Sequence, residues 1–237
     1  MRKPLSVAVV QPRIVSHDVA ANASTHGATI RAAGTRVVVF PELSLTGYEL
    51  DAPPIARGDR RLLPIIEACS ETRSIALVGA PAAGEAGEAR QPSIAMLAID
   101  GTGARVAYRK IFLGGDEPGH FAPGREPAVL EVDGWRLGLA ICRDTGIPLH
   151  AADTAALGID AYVAGMLESA TDADVLDSRA RRVAADHGVW VAIASFAGST
   201  GGGYAHAAGC SAIWAPDGAV LARAGPDVGA IARAVLG

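Results

Sequence analysis

The stretch Trp135-Arg-Leu-Gly-Leu-Ala-Ile-Cys-Arg-Asp-Thr-Gly-Ile-Pro148 decides the reading of the chain. From Trp135 to Ile141 it is largely apolar and follows Gly134, as a buried strand would. Arg143, Asp144, Thr145, Gly146 and Pro148 cannot prolong such a strand, so a sharp turn follows, with a helix expected over Ile147–Leu157. Cys142 stands at the junction. A thiol at the carboxyl end of a core strand faces the crevice where open α/β layers hold their ligands. Backbone N–H groups freed by the turn could stabilise a thiolate or an oxyanion there. A free cysteine is also among the most buried residue types, so plain packing is the competing explanation.

Working outward, other apolar runs stop just as abruptly. Leu5–Val10 reads as a strand closed by Gln11-Pro12, and Asp18–Ala33 as an Ala-rich helix that Ser16 or Asp18 could cap. Val37–Phe40 is a second buried strand ended by Pro41, which leaves Glu42 just past its carboxyl end. Arg60–Arg73 reads as a helix interrupted or started near Pro64, Ile75–Ala80 as a strand, and Gly84–Arg90 as a surface turn. Ser93–Ile99 and Ala104–Tyr108 form a hairpin about Gly101-Thr-Gly103, and Lys110–Gly124 is a long loop of the kind that is usually functional or disordered. Two strands flank Asp133-Gly134. Beyond Cys142, Ala161–Gly165 and Val189–Ser195 read as strands on either side of a helix over Thr171–His187. Gly198–Gly203 reads as an irregular loop, and Cys210–Trp214 with Ala219–Arg223 as a last hairpin. Hairpin strands interposed among alternating strands and helices argue for layered sheets with helices outside, in a single domain over residues 1–237.

Composition narrows the partners. A chain of 237 residues that is half hydrophobic can bury a large core, and its net charge of −4 offers no field for nucleic acid or an anionic membrane. Arg179, Arg181 and Arg182 read as a solvated helix face. Each apolar run is too short to span a bilayer, and the N-terminal one is cut off by Gln11-Pro12-Arg13, so it reads as a strand rather than a signal peptide. Cys69, Cys142 and Cys210 are odd in number and widely spaced, which suits a reducing cytoplasm better than a disulfide framework or a metal site.

Glu42, Lys110 and Cys142 each follow an apolar strand, and as a set they resemble the carbon–nitrogen hydrolase (nitrilase) superfamily. The resemblance rests on Phe40-Pro-Glu-Leu with Thr46-Gly-Tyr48, on Arg109-Lys110, on Glu117-Pro-Gly-His-Phe-Ala-Pro-Gly124, and on Leu139-Ala-Ile-Cys-Arg-Asp144 with Pro148. It implies a four-layer α-β-β-α sandwich that assembles as a homodimer or larger. It also implies hydrolysis of a small carboxamide without metal or organic cofactor. Cys142 would be the nucleophile, Glu42 the general base and Lys110 the oxyanion donor, with the Arg143 N–H as a second donor. Glu117 would be the additional glutamate that positions Lys110 or the substrate.

Departures from the family pattern bear on the substrate. Phe112 stands where many members carry histidine, and Leu149 where an acid often follows the proline. Cys142-Arg-Asp144 in place of the Cys-Trp-Glu common in nitrilases favours amides over nitriles. An N-carbamoyl hydrolase or nitrilase using the same triad is the alternative, and a catalytically idle binding or assembly member is another. Tyr48, His120, Arg143, Met166 and Glu168 are candidate pocket residues, the last two because the family uses that strand end. A Cys–His hydrolase would call on His150, which a packed or surface role on a helix explains better, and a thiol redox protein would lack a resolving cysteine near Cys142.

Overall fold

In the computed structural model, which describes residues 2–84 and 91–237, two six-stranded sheets lie between two pairs of helices. The turn expected over Gly84–Arg90 falls, from residue 85 onward, outside the described residues. The first half runs β1 (Leu5–Val10), α1 (Val19–Ala33), β2 (Val37–Val39), α2 (Leu63–Thr72), β3 (Ile75–Ala82), β4 (Ser93–Asp100) and β5 (Gly103–Arg109). The second runs β6 (Ala128–Val132), β7 (Trp135–Ile141), α3 (Pro148–Ala156), β8 (Ala161–Met166), α4 (Ala173–His187) and β9 (Trp190–Ser195). Short pieces follow: β10 (Ala197–Gly198), β11 (Ala207–Ala208), β12 (Ala212–Trp214), β13 (Val220–Arg223) and β14 (Ile231–Leu236).

One sheet has the order β14-β1-β2-β3-β4-β5 and the other β13-β12-β9-β8-β7-β6. In each, three parallel strands form the middle (β1-β2-β3 and β7-β8-β9) and antiparallel strands flank them. Parallel strands joined by helices must be covered on both faces, and β2, β3 and β8 are buried throughout, β1 and β7 at all but their second residue. Side-chain alternation sorts the core into layers. Val7, Val9, Val37, Val39 and Leu77 meet Leu137, Leu139, Val163 and Ala194 between the sheets. Ala8, Val10, Val38 and Phe40 face Ile30 and Ile65 of the first helix pair. Tyr162, Ala164 and Met166 face Leu176, Ala180 and Val183 of α4. Each of the valine, leucine, isoleucine, phenylalanine and methionine side chains so removed from water stabilises the fold by roughly 1.5–3 kcal/mol.

Asp18 caps α1 by accepting from the Ala21 N–H, and Gly34 ends the helix in the left-handed region. Residues 231–236, to which the sequence reading assigns no element, form β14 antiparallel to β1, from Leu5↔Leu236 to Val10↔Ile231. As an edge strand β14 buries only Ala232 and Leu236 fully, while Arg233 reaches the Ala32 and Ala33 carbonyls at the end of α1. The glycine-rich loop is less irregular than expected, because Gly198 belongs to the β10–β11 ladder. Cys210, expected on a strand, precedes β12 in the left-handed region with φ 56° and is half-buried.

Candidate active site

Glu42 owes its position to a backbone path that few sequences could follow. After β2 the chain passes Phe40, Pro41 and Glu42 between the ends of β3 and β8, touching glycine on each side. A Cβ on Gly79 would collide with Pro41 O and Leu43 N. On Gly165 it would lie 2.6 Å from Phe40 O and 3.0 Å from Glu42 N. Leu43 then adopts φ 50°, a left-handed conformation that costs a non-glycine residue on the order of 1–3 kcal/mol. His26 of α1 supports the bend: its ring stacks on Phe40 at 4.1 Å and its Nε2 lies 2.9 Å from Ser44 Oγ. Burial lowers the His26 pKa to about 3, so the ring is neutral, with Nδ1–H donating to Asn22 O at 2.6 Å.

Cys142 is the second strained residue, with φ 44°. It opens the 3₁₀ turn Cys142–Gly146 at the end of β7, and α3 begins only at Pro148. Thr145 Oγ1 donates to Cys142 O at 2.7 Å, and Asp144 accepts from Ile141 N at 3.0 Å, so the turn is tied on both sides of the cysteine. The Cys142 thiol lies 3.5 Å from Leu167 O, at the end of β8.

Lys110 follows β5 and begins the loop that returns to it, since Gly124 N donates to Lys110 O at 2.7 Å. Its ammonium is buried and donates to Glu42 Oε1 at 2.7 Å and to both oxygens of Glu117 at 2.7 and 2.8 Å. Glu117 also accepts from Gly114 N and from the Tyr48 hydroxyl, each at 2.7 Å. Glu42 differs: its second oxygen, Oε2, is buried without a hydrogen-bond partner.

The charges push one another in consistent directions. Burial raises Glu42 to about 7; the neighbouring Glu117 charge adds to that, and Lys110 opposes it. Burial would lower the Lys110 ammonium, but the Glu42 carboxylate, the Cys142 sulfur once ionised and the Glu117 carboxylate outweigh it and hold the proton firmly. Burial, followed by the Glu42 carboxylate, pushes the Cys142 thiol up, so the resting group is a thiol. The arrangement is a protonated thiol, a carboxylate whose basicity burial has raised, and a fixed cation excluded from water. Those are the parts that nucleophilic acyl transfer needs.

The other residues singled out from sequence divide. Tyr48 is at the site, but its hydroxyl is committed to Glu117. Arg143 is exposed and lies across Gly114, where a Cβ would be 3.2 Å from its Cδ. Glu168, at the end of β8, is half-buried, pairs with Arg179 of α4 at 2.7 Å and contributes to the rise of the Cys142 thiol. His120 is exposed, on the outer side of the loop near Asp51. Met166 is fully buried on the α4 side of β8 and takes a contact from Thr145 Oγ1 at 3.7 Å. Gly165 faces the other sheet, so its successor on β8 must face the helices. Cys69 is buried on α2.

Two features escaped the sequence reading. The arginines of α4 are not merely a solvated face, because Arg179 holds Glu168 and Arg182 donates to Thr145 O at 2.5 Å beneath the Cys142 turn. Tyr204, in the glycine-rich loop, meets Tyr48 edge-on at 5.3 Å, and the charges of Cys142, Glu42 and Glu117 all bear on its hydroxyl.

Comparison with known proteins agrees with this geometry. The carbon–nitrogen hydrolase family model matches residues 6–234. A Pseudomonas protegens protein described as a hydrolase in the pqqF 5' region is 28% identical over 251 residues, spanning 99% of this chain and 85% of that one. The omega-amidase YafV of Yersinia enterocolitica is 27% identical over 128 residues, 54% of this chain and 50% of that protein. Among solved structures, Saccharomyces cerevisiae Nit3, a member of branch 10 of the nitrilase superfamily, superposes with a TM-score of 0.87 at 23% identity, covering 99% of this chain and 90% of Nit3. Among the described residues no helix is long and apolar enough to cross a membrane.

Proposed function

The chain belongs to the carbon–nitrogen hydrolase family, and from that premise we propose that it hydrolyses a small-molecule carboxamide through a thioester on Cys142. Glu42 takes the thiol proton, and the Cys142 sulfur bonds to the amide carbon while the carbonyl π pair moves onto oxygen. The resulting oxyanion is met by the Lys110 ammonium and by the Arg143 N–H. As the intermediate collapses the C–N bond breaks, and the proton held by Glu42 passes to the leaving nitrogen, releasing ammonia. Glu42 then deprotonates a water that attacks the thioester carbon; the C–S bond breaks, sulfur recovers its proton, and the carboxylic acid leaves. Glu117 keeps Lys110 in place throughout.

The observation that carries this reading is Glu42 itself. One oxygen is fixed by Lys110, the other is buried without a hydrogen-bond partner, and the Glu42 charge bears on the ionisation of the Cys142 thiol. An unsatisfied buried acceptor is costly and calls for a functional reason. The omega-amidase relative supports an amide rather than a nitrile or ureido substrate. A homodimer in the cytoplasm completes the proposal, and light scattering of the purified protein reads its assembly.

The test is ammonia release from a panel of small amides, ureido acids and nitriles, with Cys142→Ala as control. Release from amides that vanishes in the variant is the expected result. Folded protein that releases nothing from any compound, and forms no Cys142 adduct by intact mass, overturns the proposal.

A further inference from the structure

Lys110 and Cys142 follow strands of opposite sheets, yet one buried side chain touches the backbone around both. We propose that Asp144 is a positioning residue that sets Lys110 against Cys142. This role rests on the reading that those two side chains act together.

Asp144 is fully buried and carries no direct contact to the reacting groups. Its Oδ1 accepts from Phe112 N at 2.9 Å, and its Oδ2 accepts from Tyr108 OH at 2.7 Å and Ile141 N at 3.0 Å. Tyr108 and Phe112 stand two residues to either side of Lys110, and Ile141 immediately precedes Cys142. One carboxylate therefore brackets the lysine and fixes the strained elbow of the cysteine. Hydrogen bonds to a buried carboxylate are the strong kind, and three of them from separate segments leave little freedom.

The donors behind Asp144 are themselves ordered. Tyr162 OH lies 2.9 Å from His150 Nδ1, and His150 Nε2 lies 2.8 Å from Tyr108 OH. Burial lowers the His150 pKa, which favours the neutral ring with a single N–H. The Tyr108 hydroxyl has one proton, and it goes to Asp144. The histidine must then donate from Nε2 and accept from Tyr162 at Nδ1. His150 Nε2–H, directed at the Tyr108 oxygen, keeps that hydroxyl's proton on Asp144, and Tyr162 only completes the chain at its far end.

Asp144→Asn is the informative substitution. It preserves size, but the amide nitrogen cannot accept, so it must oppose either Phe112 N–H or the pair from Ile141 and Tyr108. The primary readout is the second-order rate of Cys142 alkylation by iodoacetamide, followed by intact mass and peptide mapping, with kcat and KM for a hydrolysed amide alongside. Small displacements at a reacting pair cost about a hundredfold in rate. The expected result is alkylation slowed about tenfold, kcat lowered about a hundredfold and KM within about threefold. Tyr162→Phe removes a hydroxyl from the far end of the network without touching Asp144, and alkylation there stays within about threefold of the parent protein.

If Asp144→Asn does not fold, Tyr108→Phe removes one of the three donors and takes its place, with alkylation expected to slow more than threefold. Alkylation within threefold of the parent in the folded Asp144 or Tyr108 variant overturns the proposal. So does an equal loss in Tyr162→Phe, which would mark the network as a source of stability alone. Alkylation needs no substrate, so a failure of the parent protein to hydrolyse amides overturns the proposed function and leaves this comparison readable.

Discussion

Lys110 Nζ lies against both oxygens of Glu117, at 2.7 and 2.8 Å. Glu42 reaches the same ammonium with one oxygen only. The difference assigns the two carboxylates different work. Glu117 spends its acceptor capacity on Lys110, Gly114 N and Tyr48 OH and has none left for a migrating proton. Glu42 keeps an oxygen in reserve.

Glu117→Gln should therefore behave as a loss of positioning. An amide nitrogen at this place faces the Lys110 ammonium and either the Gly114 N–H or the Tyr48 hydroxyl, so the ammonium is displaced or left short of a partner. We expect kcat to fall about a hundredfold, roughly 2.7 kcal/mol of barrier, with KM little changed. Steady-state ammonia release measures both, and a KM effect larger than the kcat effect would refute the assignment.

Glu42→Gln should abolish turnover while sparing the fold. With both acids ionised, Glu42, Lys110 and Glu117 carry two buried negative charges against one positive. Replacing Glu42 removes the excess and leaves Lys110 paired with Glu117, the opposite of stranding a buried charge. The variant should lose at least about a thousandfold in kcat, on the scale of general-base catalysis. Its melting temperature at pH 8 should equal or exceed that of the parent protein.

The pH dependence follows from the same group. Glu42 titrates at about 7 in the fold and near 4.3 in an unfolded chain. As the base it must be ionised, so kcat/KM should rise with pH and level off above about 7. Stability runs the other way. Between those two values the folded protein holds the proton more tightly than the unfolded chain, so this contribution is complete below the lower value and lost as pH rises through the upper. Chemical denaturation at pH 5 and pH 8, compared between the parent and Glu42→Gln, isolates it.

Much of this site was legible because the apolar runs end so sharply. Pro41 stops β2 and exposes Glu42 as the next polar residue, and the turn residues after Ile141 do the same for Cys142. Hairpins interposed among alternating strands and helices pointed to layered sheets with helices outside, and the resemblance to the family implied four layers. What stayed hidden depends on contacts between distant segments. Arg179 and Arg182 lie three apart on α4, and nothing local reveals that their acceptors are Glu168 and Thr145 O. Tyr204 sits in a glycine-rich loop with no periodicity to place it. Edge strand β14 buries one face incompletely and carries Arg233 mid-strand, so its alternation is weak. Met166 was readable in principle: once Gly165 is assigned to the inter-sheet side, period two sends its successor to the helices.

Gly165→Ala tests the backbone path of Glu42. The new methyl would meet Phe40 O at 2.6 Å and Glu42 N at 3.0 Å, both backbone atoms that no rotamer change can clear. Overpacking of this kind typically costs about 1–3 kcal/mol. Because the displaced segment carries the base, activity should fall more than stability does, by about a hundredfold in kcat. Retained kcat in a protein destabilised to that extent would show that Glu42 tolerates the shift.

Glu168 and Arg179 make a prediction with two signs. Burial raises the Glu168 carboxyl, while Arg179, 2.7 Å away, favours its ionised form, and its charge contributes to keeping the Cys142 thiol protonated. Glu168→Gln removes that charge. The thiol pKa should fall, which raises the small thiolate fraction, and with it the iodoacetamide rate at pH 7.5, by about threefold. Arg179→Gln removes the countercharge instead. An ionised Glu168 then opposes the thiolate more strongly, and alkylation should slow. If both substitutions shift the rate in the same direction, the pair supports the Cys142 turn through packing and not through charge.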